Sequence, residues 1–142
     1  MNVRKSVFAF LRVGMGVLFL LAGASKGADI ERFEEVIRLY YIVPVMGVPF
    51  VAAVIIAFET VAGLAFVVGK GVREAASVLS AVCACFLVAL LVRIVGGVPG
   101  ECGCWGGMMT ETIGPAAVAR DGIFLVICIT IGREERIPGL HV

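Results

Sequence analysis

Four long apolar runs constrain this chain more than any other feature. They cover roughly Ser6–Ser25, Val48–Gly69, Ala75–Val95 and Ile113–Gly132. A helix of about 20 mostly apolar residues crosses a bilayer, and each run reaches that length. Hydrophobic residues make up 61% of the chain and charged residues 16%, too few charges to solvate the exterior of a soluble domain of this size. The expected fold is all-α, a polytopic membrane four-helix bundle forming one domain over residues 1–142. Arg4, Lys5, the first apolar run and Ala22-Gly23-Ala24 imitate a secretory leader. Arg12 interrupts that run, which favours a retained first span.

The basic residues set an orientation, because Lys and Arg accumulate on the cytoplasmic side. Arg4 and Lys5 precede the first run, Lys70 and Arg73 separate the second and third, and Arg133 and Arg136 follow the fourth. These places, and with them both termini, are expected to be cytoplasmic in a cell membrane. The first and third connections then face outward. The first contains Asp29–Tyr41, where Ile30, Phe33, Val36, Ile37 and Tyr40 recur at helical spacing. The pattern predicts an amphipathic helix lying in the outer interface, apolar face down. Pro44 and Pro49 end it and restart the chain.

The third connection, Gly96–Thr112, carries Cys102-Gly103-Cys104-Trp105-Gly106-Gly107. Its glycines and Pro99 keep it non-helical. Three readings apply to the two thiols. As half of a zinc site they need two further ligands, and the one histidine, His141, sits at the opposite side, so no metal is expected. As a static bridge across one residue they close almost no chain entropy. As an exchanging pair they form a small, strained ring that is easily reduced, on the side where disulfides persist. The third reading is the one these residues favour. Trp105 reads as an interfacial anchor or as a wall for a flat ligand.

Ionisable residues within apolar spans need partners. Lys26 and Arg93 fall at the outer ends of the first and third runs, and Arg120 and Asp121 in the outer half of the fourth. Glu59 lies near the middle of the second. The cations are expected to hold a positive field around a thiolate, unless Lys26 and Arg93 extend to the headgroups. Cys83, Cys85 and Cys128 lie inside spans and read as packing residues. Cys83 and Cys85 point to nearly opposite helix faces. There is no P-loop, dinucleotide fingerprint or Ser/His/Asp set, and the net charge of +1 shows no bias toward nucleic acid.

The chain resembles the MauE family, relatives of the DoxX-like four-helix membrane proteins. The matching stretches are Leu11-Arg12-Val13-Gly14, Phe19-Leu20-Leu21-Ala22-Gly23-Ala24-Ser25-Lys26 and Tyr40 to Pro44. Glu59 with Gly63-Leu64, Glu101-Cys102-Gly103-Cys104-Trp105-Gly106 and Ala119-Arg120-Asp121 complete them. Trp105 stands where the family favours Phe, and Asp121 where Asn is commoner. The resemblance implies support for maturation of a disulfide-rich periplasmic dehydrogenase in methylamine utilisation, beside a thioredoxin-like partner. By analogy with other membrane disulfide generators, a quinone would accept the electrons.

The resulting expectation is a thiol–disulfide oxidoreductase. Cys102 and Cys104 exchange, Lys26, Arg93 and Arg120 supply positive field, and Glu59 and Asp121 pair with buried cations. The alternative is a non-catalytic membrane scaffold that docks a redox partner. A transporter of small thiols is the weakest reading, because the four short spans carry no evident internal repeat.

Overall fold

The computed structural model describes residues 3–105 and 111–135. Gly106, Gly107, Arg136 and His141 therefore lie outside the described residues. Among the described residues five α-helices follow one another: α1 (Val3–Ala28), α2 (Ile30–Leu39), α3 (Val48–Val68), α4 (Val72–Val95) and α5 (Pro115–Glu134). All but α2 are long and apolar enough to cross a membrane. Large apolar side chains such as Phe10, Phe50, Val61, Val88 and Val126 are exposed on their outward faces, a surface that lipid, and not water, would cover. The chain is a multi-pass, all-α membrane protein.

Helix boundaries follow local chemistry. Asp29 caps α2 by accepting from the Arg32 amide at 3.2 Å. A short 3₁₀ turn over Val45–Gly47 follows Pro44, and a proline in its first turn opens α3. Gly69 closes α3 in the left-handed conformation. Arg12 lies against that turn and donates to the Phe66 carbonyl at 2.6 Å. The residue that interrupts the first apolar run thus serves a carbonyl-rich helix end. The fourth span begins at Pro115, two residues later than expected, because the Ile113 amide is engaged with the Gly100 carbonyl at the base of the cysteine loop. The first span is longer than expected at both ends.

α1 packs chiefly on α3 and α4 on α5, while α3 and α4 join the two pairs. Small residues set the α1–α3 distance. A Cβ added at Gly16 would meet the Gly63 carbonyl oxygen at 2.8 Å, and one at Gly63 would meet the Gly16 oxygen at 2.9 Å. One at Gly23 would lie 2.7 Å from Thr60 Oγ1. Close backbone approach of this kind gives membrane helices their dispersion contact. The interior core joins Met15 and Phe19 to Ala62, Phe66, Leu79, Cys83, Cys128 and Ile131.

The position of α2 differs from expectation. Its apolar face does not lie against lipid: Phe33, Val36 and Ile37 are buried, and Phe33 and Ile37 pack on Val48 and Ala52 of α3. The same amphipathic pattern serves either surface, and here the bundle end offers a closer-packed one. α2 therefore forms a cap over the end of the bundle that carries the cysteine loop. The other end carries the α3–α4 turn and an ion pair of 2.5 Å between Arg4 and Glu134.

The α1–α3 contact generates a direct expectation. Gly63→Val should destabilise the folded bundle by about 1–3 kcal/mol through overpacking. Gly14→Ala, where an added Cβ meets nothing within 4 Å, should be neutral. Reversible unfolding in mixed micelles measures both, and equal stability of the two variants would show that the helices do not meet through Gly16 and Gly63.

Candidate functional site

The cysteine loop is closed at its base by backbone pairing. Glu101 and Thr112 form an antiparallel bridge, the Cys102 amide donates to the Glu111 carbonyl at 2.8 Å, and the Ile113 amide to Gly100 at 2.9 Å. Cys102 and Cys104 are joined as a disulfide with their Cα atoms 5.4 Å apart. Gly103 between them has φ of +71°, and an added Cβ would lie 2.5 Å from Val36 Cγ1 of α2. Glycine is required there twice over, by backbone conformation and by space. Cys102 is fully buried with Leu90 and Ala117; Cys104 is partly exposed.

Three side chains hold the loop by its carbonyl groups. Lys26 Nζ donates to both Glu59 carboxylate oxygens at 2.9 and 2.7 Å, and to the Cys104 carbonyl at 2.6 Å. Arg93 donates to the Leu39 and Pro99 carbonyls and stacks its guanidinium over Tyr40 at 5.4 Å. The Tyr40 hydroxyl donates to the Cys102 carbonyl at 3.0 Å. Burial pushes the Tyr40 phenol up to about 12; Arg93 lowers it and Asp121 raises it. The neutral hydroxyl is therefore a donor at physiological pH. Its contribution to stability is fully present below the ordinary phenol value of 10.0 and is lost as pH rises from there through about 12.

The sulfurs lie against an Arg–Asp pair. Arg120 donates to Asp121 Oδ1 through Nε at 3.1 Å and Nη2 at 2.9 Å, pairs with Glu111, and brings Nη2 to 3.3 Å from Cys102 Sγ. Asp121 Oδ2 lies 3.4 Å from Cys104 Sγ. Beneath the disulfide is a small cavity bordered by Cys104, Trp105, Phe19, Phe86, Phe124 and Cys83, with Glu59, Arg120 and Asp121 at its polar side. Trp105 turns into the bundle, edge-on to Phe124 at 6.3 Å and under Arg120 at 5.7 Å.

The residues singled out by sequence fall into two groups. Lys26, Glu59, Cys102, Cys104, Trp105, Arg120 and Asp121 assemble around one cavity and its roof. Arg93 stands apart: it holds the loop backbone through the Leu39 and Pro99 carbonyls and the Tyr40 ring, not through sulfur. Neither Lys26 nor Arg93 extends toward headgroups; they are 0% and 6% exposed. Several contacts were not foreseen, namely Tyr40 on Cys102, Glu111 on Arg120, Arg32 on Glu101 at 3.1 Å, and Val36 on Gly103. The clustering of Tyr40, Arg32 and Val36 at helical spacing was the available signal, since one face of α2 had to meet something. Asp121 also adds a third metal-ligating group near the two sulfurs, their donor atoms within 4.8 Å of one another. The joined sulfurs offer no thiolate, and the Arg120 guanidinium beside Cys102 opposes a second cation.

Comparison with known proteins agrees with this architecture. The family model described as methylamine utilisation protein MauE matches residues 4–132. A methylamine utilization protein MauE of Paracoccus denitrificans is 25% identical over 139 residues, covering 96% of this chain and 75% of that protein. No solved structure matches. The chain belongs to the MauE family.

The Lys26–Glu59 pair gives the sharpest test of this geometry. Glu59→Gln leaves a buried ammonium without its counter-charge and should cost about 3–5 kcal/mol, read as loss of folded protein in membranes. Combining it with Lys26→Met should restore most of the loss, because an apolar pair of similar volume needs no compensation. Additive losses in the double variant would show that the two side chains do not form a pair.

Proposed function

We propose that this MauE-family protein is a membrane thiol–disulfide exchange protein whose Cys102–Cys104 bond carries two oxidising equivalents. One observation carries the reading: the bond is chemically asymmetric. Arg120 lies 3.3 Å from Cys102 Sγ, Cys102 is fully buried, and Cys104 borders the cavity. An incoming thiolate attacks Cys104, the sulfur–sulfur bond breaks, and Cys102 leaves as a thiolate facing the guanidinium. Better-stabilised thiolates leave faster. A second thiol of the substrate then resolves the mixed disulfide, releasing oxidised substrate and the reduced Cys102/Cys104 pair. Asp121 stands at hydrogen-bond range of the released Cys104 thiol.

Placement in the cell follows from charge. Arg4, Lys5, Lys70, Arg73 and Arg133 belong to the bundle end away from the cysteine loop, which the positive-inside tendency makes cytoplasmic in this reading. The loop then works on the extracytoplasmic side of the cell membrane, where disulfides persist. The exchange partner is a thioredoxin-like protein on that side, and a membrane quinone takes the electrons when the pair is reoxidised. The association of the family with methylamine utilisation and with maturation of a disulfide-rich dehydrogenase supports this assignment. A second reading, a non-catalytic subunit that docks a redox partner, is favoured by one feature: Lys26, Arg93 and Tyr40 fix the loop backbone as a rigid surface.

Single-cysteine variants separate the two. Cys102→Ser keeps the accessible sulfur and removes the resolving one, so a reductant-sensitive adduct with a thioredoxin-like protein should accumulate. Cys104→Ser leaves only the buried sulfur and should trap at least tenfold less. Non-reducing electrophoresis of membranes reads both. If neither variant traps and the wild type turns over no thiol, the docking reading takes the place of the exchange reading.

A further inference from the structure

Of the three cysteines that this mechanism leaves unused, two are buried together in the core. Cys83 of α4 and Cys128 of α5 are free thiols, 5% and 0% exposed, in the interior core. α4 and α5 form one of the two main helix pairs, and Cys83 and Cys128 belong to the same buried cluster between them. Side chains of packed helices in one cluster are within reach of each other by rotamer change, which makes these two the pair of free thiols that could join. Cys83 also borders the cavity under Cys104. Cys128 borders a separate, open polar depression with Ser77, Ser80 and Arg133, toward the other end of the bundle. The thiol pair thus stands between the two, and the cavity is bordered by the sulfur that is open to attack.

We infer that Cys83 and Cys128 are a second, membrane-buried dithiol that exchanges reversibly with the Cys102–Cys104 disulfide through the shared cavity. The inference rests on the exchange reading of Cys102–Cys104. In the forward direction the Cys83 proton passes to the Asp121 carboxylate, which lies at the polar side of the cavity. The Cys83 sulfur bonds to Cys104 Sγ, the Cys102–Cys104 bond breaks, and Cys102 leaves as the thiolate beside Arg120. Cys128 then attacks Cys83, forming the Cys83–Cys128 bond and releasing Cys104, which takes up the proton that Cys128 gives away. One disulfide is broken and one formed. Two electrons move from the buried pair to the loop pair, so no external oxidant enters the step. The exchange moves an oxidising equivalent from the loop to the middle of the bundle. Cys85, which is exposed on the far face of α4, takes no part.

The test uses the full-length protein in lipid vesicles, with the disulfides identified by non-reducing peptide mapping. Cys102→Ser combined with Cys128→Ala removes both resolving sulfurs. Mild oxidation with oxidised glutathione should then trap a Cys83–Cys104 bond. In the wild type, excess oxidised glutathione should leave Cys85 as the sole alkylatable thiol. Cys102→Ser with Cys104→Ser should slow Cys83–Cys128 formation at least tenfold. The inference is overturned if Cys83 and Cys128 stay alkylatable in oxidised wild type, or if no Cys83–Cys104 bond forms while Cys102→Ser still traps its external partner. If Cys102→Ser traps nothing at all and Cys102–Cys104 is inert, the exchange reading itself fails and the relay falls with it.

Discussion

One ammonium group organises the end of this protein that carries the cysteine loop. Lys26 Nζ is buried at 0% exposure and has three hydrogens to place. It places them on the two oxygens of Glu59 and on the Cys104 carbonyl, so each donor has a partner. Those acceptors belong to α3 and to the cysteine loop, while Lys26 itself is on α1. Withdrawing any one of them leaves a charge or a polar group without compensation in an apolar interior. The disulfide loop is thereby fixed to the two helices, α1 and α3, that approach each other through Gly16 and Gly63. Phe33 and Phe86 rings at 5.5 and 5.7 Å complete the ammonium's surroundings.

The second set of charges addresses the sulfurs instead of the backbone. Arg120 is shared among Asp121, Glu111 and Cys102 Sγ, and Asp121 extends its other oxygen toward Cys104. The two sulfurs therefore meet opposite environments, a cation beside one and a carboxylate beside the other. This division, together with the burial of Cys102, distinguishes two sulfurs that a Cys-Gly-Cys sequence alone leaves equivalent. Loop closure by Glu101–Thr112 and the α2 cap keep that environment in place.

Much of the fold was legible because a bilayer imposes length and composition on its spans. The four apolar runs became four long helices, shifted by only a few residues where capping chemistry intervened. The sequence also marked Lys26, Glu59, Arg120 and Asp121 as residues needing partners, because unpaired charge in hydrocarbon is costly. Which partner each takes was not legible, since it depends on helix rotation and antiparallel register. Glu59 and Lys26 are 33 positions apart, and Arg120 and Cys102 are 18 apart. The destination of the α2 face was hidden for a related reason: an amphipathic pattern records that one side is apolar and not whether lipid or protein covers it. Gly16, Gly23 and Gly63 could be recognised as packing residues only once the helices were side by side.

The central claim is that this environment makes Cys102–Cys104 an exchanging bond and not a permanent closure. Its reduction potential, measured by equilibration of the purified protein with defined thiol–disulfide buffers and alkylation of the free thiols, tests that directly. The account predicts a reversible two-electron couple above about −300 mV, the range below which structural disulfides lie. It also predicts that Arg120→Gln, in protein that remains folded, moves the couple to more negative potential, because the reduced Cys102 thiolate loses its cation. A bond that resists reduction until the bundle unfolds, or a potential unchanged by loss of Arg120, would contradict it.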